Sequence, residues 1–117
     1  MPRRPSPAES LAAQFKHRRS IAQPVASDTW TYTDAAGEKH KTRLQLGKPQ
    51  RVPRDPRGNW FCPVYIEGWT PHVVPAIGVG PFDSLTNALL LVRSFRDHVA
   101  DMHIEENPKG RIRIRER

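Results

Sequence analysis

From Asp83 to Ile104 the chain carries its one long run of helical periodicity, and that run restricts the architectures open to it. Leu85, Ala88, Leu89, Val92, Phe95, Val99 and Met102 recur at three- and four-residue steps, so a helix sets all seven on one stripe. A striped helix needs an apolar surface to cover, and the upstream segments rich in strand formers are suited to provide it. Burial of the stripe is worth on the order of 10 kcal/mol before conformational entropy is subtracted. Leu89→Asp or Phe95→Asp is therefore expected to unfold the chain.

The strands are read in order. Thr29 to Thr33 alternates threonine with Trp30 and Tyr32, and Asp34-Ala-Ala-Gly37 is a turn signal. His40 to Leu46 places Leu44 and Leu46 on one side and Lys41, Arg43 and Gln45 on the other, which predicts a hairpin. Gly47 to Gly58, with Pro49, Pro53 and Pro56, reads as a loop. Trp60 to Trp69 is apolar on both parities, with Trp60, Cys62, Val64 and Ile66 opposed to Phe61 and Tyr65, so it reads as a central strand. Val73 to Val79 contains Pro75, which points to an edge or a bulge. Gly80-Pro81-Phe82 leads into the helix, capped by Asp83 or Ser84 and ended by Asn107-Pro108. The reading is α+β: about four mainly antiparallel strands covered on one face by a long helix over 83 to 106. A chain of 117 residues has room for one such core.

Upstream, Ser6-Pro7-Ala8-Glu9 is a capping box opening a short helix to about Arg19, with Leu11, Ala12 and Phe15 on one side. Two large apolar residues anchor it thinly, so its docking is expected to lean on a partner. The charge is segregated. Residues 1 to 20 and 108 to 117 each carry a net +4, while 21 to 107 sums to −1. Within that middle, 39 to 57 carries +6 and 83 to 106 carries −3. The expected organisation is a basic N-terminal arm with its helix over 1 to 20, one α+β domain over 21 to 107, and a basic tail or edge strand over 108 to 117. The tail alternates isoleucine with arginine at period two and reads as disordered unless paired. No apolar run spans a membrane and no secretory signal opens the chain, so a cytoplasmic location is expected. The lone Cys62 excludes an intrachain disulfide.

Signatures of chemistry are sparse. His98 and His103 are five apart, about 140° around a helix, and cannot share a metal ion from one face. Asp97 and Asp101 read as a solvated acidic face, and no metal or cofactor is expected. Cys62 between Phe61 and Pro63 reads as a buried hydrophobe rather than a thiolate partnered by His72. Gly78-Val79-Gly80 reads as a tight turn rather than an anion cradle, since Pro81 removes a donor and Asp83 repels anions. Phosphate-binding, dinucleotide and Ser-His-Asp patterns are absent, and no enzyme is predicted.

At Ile21-Ala22, Leu46-Gly47-Lys48-Pro49, Trp60-Phe61-Cys62-Pro63-Val64-Tyr65-Ile66-Glu67-Gly68 and Gly78 to Leu89 the chain resembles a small bacterial domain family of unknown function. The shared features are Trp-x-Cys-Pro and Gly-x-Asp-Ser-x-x-Ala-Leu type signatures, here with Pro81-Phe82 lengthening the glycine-to-aspartate step. The resemblance covers about residues 21 to 103. It implies a strand meander closed by a C-terminal helix and carries no catalytic role.

The expected function is a small non-enzymatic binding protein acting through protein–protein contacts, of the inhibitor or immunity type. Trp69, beside Gly68 and a proline turn, and the loop residues Arg51, Arg54 and Arg57 are its candidate partner-binding residues. The alternative is a basic-armed RNA- or DNA-binding accessory protein using Arg3, Arg4, Lys16, Arg18, Arg19, Lys109, Arg111, Arg113, Arg115 and Arg117. Either way the expected partner is an acidic protein or nucleic-acid surface, with no membrane and no small-molecule substrate.

Overall fold

In a computed structural model, the elements run α1 (Pro7–Phe15), β1 (Ala26–Thr33), β2 (Lys39–Leu46), β3 (Gln50–Arg51), β4 (Trp60–Ile66), β5 (Val74–Gly78), α2 (Pro81–His98) and β6 (His103–Glu106). The structure describes residues 4–99 and the backbone of 103–106. Arg3, Asp101, Met102 and the tail residues Lys109, Arg111, Arg113, Arg115 and Arg117 lie outside the described residues.

The fold is α+β and every strand pairing is antiparallel. Five strand positions lie side by side, because β2 and β3 follow each other along the same edge of β4, while β5 takes its other edge. β1 joins β2 in a hairpin from Thr33↔Lys39 to Ala26↔Leu46. Between the pairs Leu46↔Val64 and Gln50↔Phe61, residues 47–49 oppose only 62–63, so the edge carries a one-residue bulge.

The bulge explains how β4 keeps a proline in the middle of a sheet. Gly47 N–H donates to the Pro63 carbonyl at 2.8 Å, so Pro63 turns its backbone polar groups toward the bulge, and its missing N–H falls there. Pro63 lies opposite Pro75 of β5. By the same alternation Pro75 directs its own missing donor to the outer edge, as expected for a proline-bearing edge strand.

Strand alternation divides the interior. Trp30, Leu44, Leu46, Cys62, Val64, Ile66 and Ala76 form one sheet face and pack against Ala88, Phe95 and Val99 of the α2 segment. Phe61 on the opposite parity joins Val52 and Leu11 in a second cluster, flanked by Phe15 and Ile77. Both faces of β4 are thus buried, which is why it reads as an unbroken apolar run.

Four expectations change. α2 starts at Pro81 with Gly80 at the cap position, and Asp83 instead reaches back to accept from Val79 N–H at 2.9 Å. It ends at His98, and 103–106 pair with β1 rather than continuing the helix to 106. An antiparallel segment there satisfies backbone groups that β1 would otherwise leave open along its edge. Leu89 is 49% exposed, so it is not part of the buried stripe. Ser84 and Ala88 take the inward positions, and the first turn of the helix at Asp83 and Ser84 sits so hard against Gly78 that a Cβ on that glycine has no room. Finally, α1 stops at Phe15, with His17 in the left-handed region at φ 76°.

Candidate functional site

Of the predicted arginines, Arg51 ends β3, and the loop between β3 and β4 presents Arg54 and Arg57 on a folded turn. Asp55-Pro56-Arg57-Gly58 closes with Gly58 N–H donating to the Asp55 carbonyl at 3.0 Å, and Gly58 adopts φ 71°. The Asp55 carboxylate accepts from Arg57 N–H and from Asn59 Nδ2, each at 2.9 Å. The Arg57 amide chiefly, then the Asn59 bonds, hold this carboxyl below its usual value. Val52 N–H donates to the Asn59 carbonyl at 2.9 Å and shuts the base of the loop. A stretch whose prolines suggest a plain loop is therefore organised around one carboxylate.

Arg51, Arg54 and Arg57 are exposed, and none forms an ion pair with a carboxylate among the described residues. Arg51 lays its guanidinium over the Trp60 ring, 5.4 Å from the centroid. Arg54 stands in the left-handed region at φ 59° and lines, with Arg4, Pro7, Leu11 and Gln14, a cleft of about 490 Å³ between the loop and α1.

The register adds neighbours that the sequence did not suggest. Trp60 is flanked by Arg51 on one side and Gly78 on the other, about 10 Å apart across two strand spacings. Just beyond Gly78, Val79 is 80% exposed and Phe82 85% exposed. Arginines and bare apolar side chains thus share one end of the sheet.

Trp69 lies elsewhere. It follows the far end of β4, about 20 Å from the start of that strand, so it does not join the arginines. At 38% exposure it rests on Phe95, with ring centroids 5.7 Å apart, and on His98 at 4.8 Å. Of the other tryptophans, Trp30 is buried and Trp60 half-buried.

The N-terminal cations divide too. Arg4 and Lys16 are exposed. Arg18 and Arg19 belong to a segment stitched across the second sheet face. The Arg18 carbonyl accepts from Val73 N–H, Arg19 donates its guanidinium to the Pro71 carbonyl, and Arg43 donates to the Arg19 carbonyl, all at 2.7 Å.

Cys62 is fully buried, and its Sγ–H donates to the Gly47 carbonyl at 3.2 Å. Burial pushes the thiol up from its ordinary value of 9.0. Its partner across the strand pair is Ala76, and His72, four residues before Ala76, is about 13 Å along the sheet. The two do not form a pair.

One further cluster escaped the sequence. Asp34, Glu38 and His40 bring potential ligand atoms within 4.8 Å of one another at the tip of the β1–β2 hairpin. Attention to histidine spacing alone could not find it. The usable signal in the sequence was the turn at Asp34-Ala-Ala-Gly37 with Glu38 and His40 two apart just after it, and the Thr33↔Lys39 pairing then brings them across the turn from Asp34.

No helix among the described residues is long and apolar enough to cross a membrane. No family model matches the chain, and neither a curated protein nor a solved structure gives a significant match.

Proposed function

We propose that this chain is a small non-enzymatic binding protein that docks an acidic protein surface at the end of the sheet bearing Arg51, Arg54 and Arg57. One observation carries the reading: Val79 and Phe82 stand almost bare at the end of the sheet where Arg51, Arg54 and Arg57 are exposed and form no ion pair among the described residues. Isolated exposed hydrophobics are ordinary, but here they adjoin a cationic loop held in shape by Asp55. Such a surface favours a partner offering carboxylates around an apolar residue, with the arginines steering encounter and Phe82 supplying buried area. Trp69 is left a peripheral role. The finer form, an inhibitor or immunity-type protein in the cytoplasm, rests on the same surface and requires a partner whose activity falls on binding.

Arg51 stacked on Trp60 favours a second reading, in which a nucleic acid follows the loop and Arg4. The aliphatic Val79 weighs against it, since it offers no stacking face.

Affinity capture with the wild-type chain, before and after nuclease, distinguishes them. The expected result is a protein retained in stoichiometric amount after nuclease, lost on Phe82→Ser and on the triple substitution of Arg51, Arg54 and Arg57 by alanine. Material that vanishes with nuclease, or survives the triple substitution unchanged, overturns the proposal.

A further inference from the structure

We infer that the tip of the β1–β2 hairpin is a binding site for a divalent first-row transition metal, with Asp34, Glu38 and His40 as its protein ligands. This site is remote in the fold from the proposed docking surface and independent of it.

Two of the three ligands are already set. Asp34 Oδ1 accepts from Ala36 and Glu38 N–H, each at 2.9 Å, which fixes the carboxylate and aims Oδ2 at His40. The His40 ring is stacked on Tyr32, with centroids 5.0 Å apart and planes 20° from parallel. Tyr32 in turn meets Phe95 edge-on at 6.1 Å, so the imidazole is braced against the core. Asp34 Oδ2 and His40 Nε2 lie 2.8 Å apart. Two ligands on a metal with bonds of about 2.1 Å are about 3 Å apart at right angles and about 3.4 Å apart in the tetrahedral arrangement of zinc, so the pair needs to open by only about half an ångström to chelate. Glu38, exposed and within 4.8 Å, supplies the third oxygen.

The hairpin also sorts charge in favour of a cation. Period two puts Glu38 and His40 on one side of the strand and Lys39 and Lys41 on the other. The backbone bonds to Asp34 occupy the positions through which a metal-ligating carboxylate is ordinarily oriented. One imidazole with two carboxylates suits zinc, cobalt or manganese better than calcium, which takes oxygen ligands only. Ligation through Nε2 places the ring proton on Nδ1 and replaces the Asp34–His40 hydrogen bond with a shared ion. Remaining positions fall to water.

The test is titration of the full chain with Zn²⁺ alone and with Co²⁺ alone, followed by calorimetry and by the visible Co²⁺ spectrum. Expected is one ion per chain, with affinity falling at least about tenfold in His40→Ala and in Glu38→Gln. His72→Ala and His98→Ala leave it unchanged, and Ca²⁺ does not compete. Glu38→Gln separates ligation from folding, because Glu38 contributes its backbone, not its carboxylate, to the turn. Wild-type affinity in both His40→Ala and Glu38→Gln, or no binding by millimolar Zn²⁺, overturns the inference.

Discussion

Gly78, the last residue of β5, lies directly beneath the first turn of α2: a Cβ on it would come within 2.8 Å of the Ser84 Cα and 2.7 Å of the Asp83 carbonyl carbon. Ser84 is fully buried against it, and its hydroxyl is turned inward on its own helix, donating to the Pro81 carbonyl at 3.0 Å. Gly78→Ala must push helix from sheet and is expected to cost about 1–3 kcal/mol. Gly80→Ala meets no atom within 4 Å and is expected to stay close to wild type. Denaturant unfolding of the two variants checks the contrast.

Phe95 and Leu89 should separate just as clearly. Phe95 is 3% exposed and touches Trp30, Tyr32 and Trp69, whereas Leu89 is half in water. Phe95→Ala is expected to cost about 3–5 kcal/mol. Leu89→Ala, at a half-exposed position, should cost below about 1 kcal/mol. Thermal melts that ranked the two equally would refute the helix orientation described above.

The short α1 is docked by Leu11, 2% exposed against Val52 and Phe61. Leu11→Ala is expected to cost about 2–5 kcal/mol in the isolated chain. A change within error would mean that α1 stands off the sheet when no partner is present.

Cys62 provides a pH test. Its folded value lies above the ordinary 9.0, so the stability it contributes is present in full below 9.0 and is lost as pH rises toward the folded value. The difference in unfolding free energy between wild type and Cys62→Ala should therefore be constant below about pH 8 and shift against wild type above about pH 9. A thiol-specific reagent should react with native protein only as fast as the chain opens.

Asp55→Ala removes the acceptor shared by Arg57 N–H and Asn59 Nδ2. Amide exchange at Arg57 is expected to accelerate while the melting temperature changes little, since the site is at the surface. If partner binding weakens in the same variant, loop order and not charge alone sets the affinity.

Much of the molecule was written locally. The capping box at Ser6 and Glu9 forms as its spacing predicts, with Glu9 N–H donating to Ser6 Oγ at 3.1 Å and Ser6 N–H to Glu9 Oε1 at 2.7 Å. The alternation in β2 and the two-sided apolar run of β4 emerge because period two is a property of the strand itself. The same is true of the buried Cys62, whose neighbours in sequence already describe its surroundings.

Other features emerged only on assembly. Whether Leu89 or Ser84 faced the sheet depended on how closely α2 could approach, which Gly78 determines from another element. Whether 103–106 was helix or strand depended on the open edge of β1. Trp69 and the arginines share the expectation of partner binding, yet β4 holds them at opposite ends of the sheet, while Val79 and Phe82 arrive beside Arg51 through pairing. Period and capping act over a few residues, so the order of residues was enough to define the elements. Which side chains became neighbours was left to the folded arrangement, because strand register and helix approach are settled between segments distant in the chain.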